Sequence, residues 1–83
     1  MTYTIIWETP AQGTYRALKA GDPDGARKVK QAVDALARDP EPTNSTKVSD
    51  NIRRLHIDAY RVTYRIDGVN IAITVLMVGK RHR

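Results

Sequence analysis

The sequence predicts an α+β domain in which an N-terminal strand and a two-helix hairpin precede a three-stranded antiparallel meander. Three observations carry that expectation. Prolines at positions 10 and 23 each follow a polar capping residue and open a stretch with apolar residues at helical spacing. After Lys47 the apolar period changes from helical to alternating. Asp67-Gly68 then places a hairpin signal between two strand-like runs.

Residues 2–7 (TYTIIW) are β-branched and aromatic, which favours a strand. Thr9 is the expected N-cap of the first helix and Pro10 its first helical residue. Ala11, Tyr15 and Leu18 form its apolar stripe, and Gly21 closes it. Asp22-Pro23-Asp24 repeats the entry signal with an acceptor side chain and an acid near the positive helix end. In the second helix Ala26, Val29, Ala32, Val33, Leu36 and Ala37 share one face, while Arg27, Lys28, Lys30, Gln31 and Asp34 share the other. Pro40 and Pro42 stop it, and residues 39–46 read as an exposed, mobile loop. In the meander, Leu55 and Ile57 alternate with Arg54 and His56. Val62, Tyr64 and Ile66 alternate with Arg61, Thr63 and Arg65. Residues 69–78 are apolar at nearly every position, the pattern of a strand covered on both faces.

The 83 residues make a single domain, 1–83, with a small core built from Ile, Val, Leu and Ala, because the chain has no phenylalanine. It has no cysteine, which excludes disulfides, thiolate metal sites and thiol nucleophiles. No apolar run approaches the roughly 18 residues that cross a bilayer, and the N-terminus does not read as a signal peptide. A soluble, cytoplasmic protein without membrane contact is expected. Its charge is unevenly distributed. From position 47 to 83 eight Lys/Arg face three acids, which gives the whole net charge of +5; positions 1–46 carry six of each sign. A folded surface that concentrates this charge attracts polyanions, nucleic acid first among them.

The sequence contains no paired acids, Gly-rich phosphate loop or Ser-His-Asp set, and two histidines are too few for a zinc site. No metal and no cofactor are expected. The remaining Arg, Lys, His and Tyr suit the handling of phosphodiesters. Arginine stays charged and forms a bidentate fork with phosphate oxygens, and His or Tyr can move protons. RNA brings its own nucleophile, the 2′-hydroxyl. Alternation places Arg61, Thr63 and Arg65 on one face of their strand, and Arg54 with His56 on one face of the strand before it.

The run IRRLHIDAYRVTYRID, the apolar strand after it and the terminal VGKRHR resemble the second half of RelE/ParE-type toxins, the toxic partners in type II toxin–antitoxin modules. The family run of Leu-Arg, Tyr-Arg and a second Tyr corresponds to Leu55, Tyr60-Arg61 and Tyr64, and its Val-Gly-Lys-Arg motif to Val78-Gly79-Lys80-Arg81. The resemblance spans nearly the whole chain and implies a microbial-ribonuclease-like fold. In the RelE branch it implies metal-independent cleavage of mRNA in the A site of the 70S ribosome, and neutralisation by a cognate antitoxin in a toxin–antitoxin hetero-oligomer.

Carried over residue by residue, the resemblance makes Arg61 the phosphate-stabilising arginine and Arg81 the one at the leaving oxygen. Arg54 is the basic residue on the preceding strand, and a further family lysine position falls on Ile52. RelE-type relatives carry a catalytic tyrosine several residues beyond the Gly-Lys-Arg motif, where this sequence ends. His82 is then the candidate for proton transfer, as in YoeB-like toxins with a terminal His-Tyr pair. Lys47, Arg53, His56, Arg65, Lys80 and Arg83 are the candidate RNA-binding residues around this catalytic group. The rival expectations are a ParE-like toxin that binds DNA gyrase and does no chemistry, and a decayed, non-toxic RNA-binding relative.

Overall fold

A computed structural model describes residues 2–80 of the chain. The strands are β1 (Thr4–Trp7), β2 (Ser45–Lys47), β3 (Ile52–Ile57), β4 (Tyr60–Asp67) and β5 (Ala72–Lys80). The helices α1 (Thr9–Gly21) and α2 (Pro23–Ala35) lie in sequence between β1 and β2. The strands form one sheet in the order β1-β5-β4-β3-β2, with β1 parallel to β5 and all other pairs antiparallel. The expected order of elements is present, with one strand more than the meander called for.

Both helices pack on one face of the sheet, α1 over β5 and α2 over β3 and β4. The core between the layers holds Ala11, Val29, Val33, Leu36, Leu55, Val62, Tyr64, Ile73 and Val75, all essentially removed from water. These residues come from the helical stripe and from alternate strand positions, as the two periodicities require. Among the described residues the opposite face carries no helix.

Asp22 joins the two helices. Its backbone N–H donates to the Leu18 carbonyl and closes α1, while its carboxylate accepts from the Gly25 amide at 3.1 Å and opens α2. The other expected cap shifts by a residue. Glu8, not Thr9, is the N-cap of α1, because the Gln12 amide donates to the Glu8 carbonyl and draws Thr9 into the first turn ahead of Pro10. The second helix ends at Ala35, before its prolines. There the amides of Leu36, Ala37 and Arg38 switch to carbonyls three residues back and tighten the last turn.

Two expectations about loops and strands are corrected. The segment 39–46, read as a mobile loop, supplies the start of β2, which pairs Ser45, Thr46 and Lys47 with Leu55, Arg54 and Arg53. Its Ser-Thr-Lys sequence has no apolar alternation, and its backbone pairing with β3 makes it a strand. The last strand begins at residue 72 rather than 69. Asp67 accepts from the amides of Val69 and Asn70 and from the Asn70 side chain. That turn lifts Val69 to 90% exposure and puts Ile71 at φ 52°. Nor is β5 covered on both faces: Val75 and Val78 are buried, but Met77 is 64% exposed on the side without helices. Among the described residues no helix is long and apolar enough to cross a membrane.

Candidate functional site

The register of β3, β4 and β5 determines which side chains meet on the open face. The turn at Asp58-Ala59 pairs His56 with Arg61, Arg54 with Thr63 and Ile52 with Arg65. Across the other edge of β4, Arg61 lies opposite Gly79, Thr63 opposite Met77 and Arg65 opposite Thr74. Val62, Tyr64 and Leu55, the alternating partners of these positions, are buried under the helices. Arg54, His56, Arg61 and Arg65 therefore share the open face, with Thr46 beside Arg54 on β2. Directly opposed residues in an antiparallel pair stand about 5 Å apart, so the arginine of β4 and the histidine of β3 are immediate neighbours.

Three of these four side chains, Arg54, His56 and Arg61, have no acid paired with them among the described residues, and Arg65 interacts weakly with Asp67. Asp67 is the nearest acid along β4. Its carboxyl is held below the ordinary range chiefly by the Asn70 side chain, then by the Asn70 amide, with Arg65 as a lesser cause. The His56 ring is fixed by a 3.1 Å contact between Nε2 and the Thr46 hydroxyl, and its backbone is tied to Asn44 in both directions. Its Nδ1, like Arg54 Nε, is buried and has no hydrogen-bond partner among the described residues. Buried polar atoms of this kind are rare in folded proteins, and a site that awaits a ligand is one reason for them.

Three of the expected RNA-binding residues do not join this group. Arg53 faces the helix side, where its guanidinium donates to the Ser45 hydroxyl at 3.0 Å and to the Ser45 carbonyl, and pairs with Glu41 at 3.2 Å. Lys47 is its register partner and lies on the same side. Lys80 pairs with Tyr60 and lines a cavity of about 340 Å³ between α1 and the end of β5, together with Leu18, Asp22 and Tyr60. The physical reason is the alternation of a strand: of two adjacent basic residues, only one can reach a given face. Arg81, His82 and Arg83 lie outside the described residues.

The tyrosines also serve the covered side. Tyr64 donates to the Pro40 carbonyl at 2.6 Å, and burial raises its pKa above the ordinary value. Tyr60 donates to Asp22 Oδ2 at 2.6 Å, which raises the phenol's pKa and lowers that of the carboxyl. Thr46 and Met77 are open-face residues that strand alternation alone did not single out. Thr46 is recognisable only by its contact with His56, and Met77 only by its exposure. Among the described residues no three His, Asp or Glu side chains gather closely enough to hold a metal ion.

The model of the ParE toxin of the type II toxin–antitoxin system parDE matches residues 5–83. The chain belongs to this toxin family. Solved structures of the wider RelE/ParE superfamily share its fold. A chain of the RelBE2 toxin–antitoxin complex from Mycobacterium tuberculosis superposes with a TM-score of 0.82 at 22% identity, covering 98% of this chain and 100% of that one. The YoeB/ParE toxin from Agrobacterium tumefaciens gives 0.81 at 13%, over 95% and 99%. The isolated RelE toxin of Escherichia coli gives 0.80 at 18%, over 98% and 86%. At these identities the likeness is one of fold. No relative among curated proteins matches the toxin.

Proposed function

We propose that this toxin is a metal-independent mRNA endonuclease that arrests translation in the cytoplasm, acts on the message in the ribosomal A site and is held in check by a cognate antitoxin. One observation carries the proposal: among the described residues, Arg54, His56 and Arg61 crowd one open sheet face without a neutralising acid, and Arg54 Nε and His56 Nδ1 have no hydrogen-bond partner. Guanidinium groups held in this way, with an imidazole beside them, favour a ligand that brings several acceptor oxygens and negative charge, as a phosphodiester does.

In the proposed reaction the ribose 2′-oxygen attacks the adjacent phosphorus and the bond from phosphorus to the 5′-oxygen breaks, leaving a 2′,3′-cyclic phosphate and a 5′-hydroxyl. Arg61 holds the non-bridging oxygens and offsets the extra negative charge of the pentavalent transition state. Arg54 supports it from β3. By family resemblance Arg81 acts at the leaving oxygen, and His82 transfers the proton between the attacking 2′-hydroxyl and the leaving group. So sparse a site gains from the ribosome, which holds the message in an attacking geometry. The test is to express the toxin from a tight promoter and map mRNA ends. New ends with cyclic phosphates are expected, reduced about a hundredfold or more by Arg61→Ala. Growth arrest with intact messages would count against nuclease action.

The match to a ParE toxin model supports a second reading: by the family resemblance, the toxin inhibits DNA gyrase by binding and does no chemistry. Inhibition of supercoiling by the purified toxin, unchanged by Arg61→Ala, would decide for it.

A further inference from the structure

Beyond the arginines, the open face is divided lengthwise. Its β3–β4 half carries Arg54, His56, Arg61 and Arg65, with the partly buried Ile52 beside Arg65, while the large exposed apolar side chains, Met77 and Ile6, lie on its β5–β1 half. Met77 is 64% exposed and lies opposite Thr63, between the two arginines of β4. Ile6 is 47% exposed and lies opposite Thr74, which in turn lies opposite Arg65. An 83-residue domain with so small a core gains nothing in stability from leaving two large apolar side chains in water beside a cationic row.

We infer that single-stranded RNA runs along β4, with phosphates about two nucleotides apart on Arg61 and Arg65 and the intervening bases laid over Met77 and Ile6. This assignment rests on the open face being the RNA site, and deepens that proposal by giving the bound strand a path and a conformation. Arg61 and Arg65 are four residues apart, roughly 13 Å along a strand, a separation suited to phosphates about two nucleotides apart on an extended chain. The strands bearing Met77 and Ile6 lie about 5 and 10 Å to one side, the direction in which bases project from an extended backbone. Bases in a duplex are turned inward and cannot reach that strip, so the ligand is unpaired. The track ends where β4 does, at Asp67, whose carboxylate turns to the amides of Val69 and Asn70 and offers no further cation.

The test measures binding rather than cleavage. A fluorescent 2′-O-methyl oligonucleotide of about eight nucleotides, which cannot supply the attacking hydroxyl, is titrated with the full-length toxin over a salt series. Arg65→Gln is expected to lower the slope of log affinity against log salt by about 0.7, the signature of one lost phosphate contact on a single strand. Lys19→Gln, an equal charge change on α1, is expected to leave the slope alone. Met77→Ser is expected to weaken binding about tenfold at unchanged slope, with Met77→Leu restoring it. On an abasic oligonucleotide of equal length, Met77→Ser is expected to have no effect.

Thermal unfolding of each variant separates a binding loss from a folding loss. The inference is overturned if Arg65→Gln leaves the slope intact, if Met77→Ser weakens abasic and normal strands alike, or if duplex RNA binds as tightly as single-stranded. Failure of the nuclease proposal has a different appearance: messages stay whole in cells although the binding pattern holds.

Discussion

Arg53 and Arg54 are neighbours in β3, yet the two faces of the sheet treat them differently. On the covered face Arg53 is 15% exposed in its side chain and bound to Ser45 and Glu41, where it fastens the edge strand β2 to the sheet. On the open face Arg54 has a buried, unpartnered Nε and no ion pair among the described residues. The covered face satisfies the groups it holds, and stability is the result. The open face leaves Arg54 Nε and His56 Nδ1 without partners among the described residues, a cost to stability that a bound ligand would offset. Charge alone does not reveal which face an arginine serves; its partners do.

If the comparison is right, damage to the covered face unfolds the toxin and damage to the open face disarms it. The largest effect is expected from Leu55→Ala, which empties a fully buried position between Arg54 and His56. A loss of about 3 kcal/mol follows, enough to lower the melting temperature of a domain this size by more than about 10 °C in a thermal scan. Next comes the adjacent pair. Arg53→Ala is expected to cost about 1–2 kcal/mol by denaturant titration, through the Ser45 and Glu41 bonds. Arg54→Ala should stay within about 0.5 kcal/mol of the parent or gain slightly, while relieving growth arrest. Equal stability loss in both would erase the distinction between the faces.

Gly25→Ala tests the joint beneath the covered face. Alanine is the better helix former by about 1 kcal/mol, but its methyl group would meet Tyr60 Cε2 at 2.7 Å and press on the Asp22 carboxylate. A net fall in melting temperature is expected; a rise would show that the Asp22–Tyr60 contact yields freely. The smallest effect concerns acid. The Asp22 carboxyl is held below its ordinary value of 3.8 first by the Tyr60 hydroxyl and then by the Gly25 amide. The folded state thus favours the ionised carboxylate. Its contribution is complete above pH 3.8 and is lost as pH falls through the lower folded-state value. Tyr60→Phe, which removes the larger cause, is expected to flatten the acid limb of the stability curve without changing growth arrest by the toxin.

Much of this arrangement was legible from the residues. The core stripe of α2 and the alternation of YRVTYRID follow from period alone, and they placed Arg61 and Arg65 together on one face. The register that sets His56 opposite Arg61 depends on the two-residue turn at Asp58-Ala59, which no apolar pattern marks. β2 was missed because its pairing comes from its neighbour strand rather than from its own side chains. Lys47, Arg53 and Lys80 were grouped with the site by charge, a property without direction; strand alternation sends them to the other side. Val69 reads as strand because it is apolar, yet Asp67 captures the amides of residues 69 and 70 and turns the chain there.

The most direct measurement is a map of mRNA ends in cells induced for the parent toxin and for Arg61→Ala, with gyrase supercoiling assayed on the same purified proteins. Abundant new ends carrying cyclic phosphate in the parent, nearly absent in the variant, with supercoiling untouched, is the expected result. Intact messages together with blocked supercoiling would contradict a phosphodiester-cleaving open face and make the toxin a gyrase inhibitor.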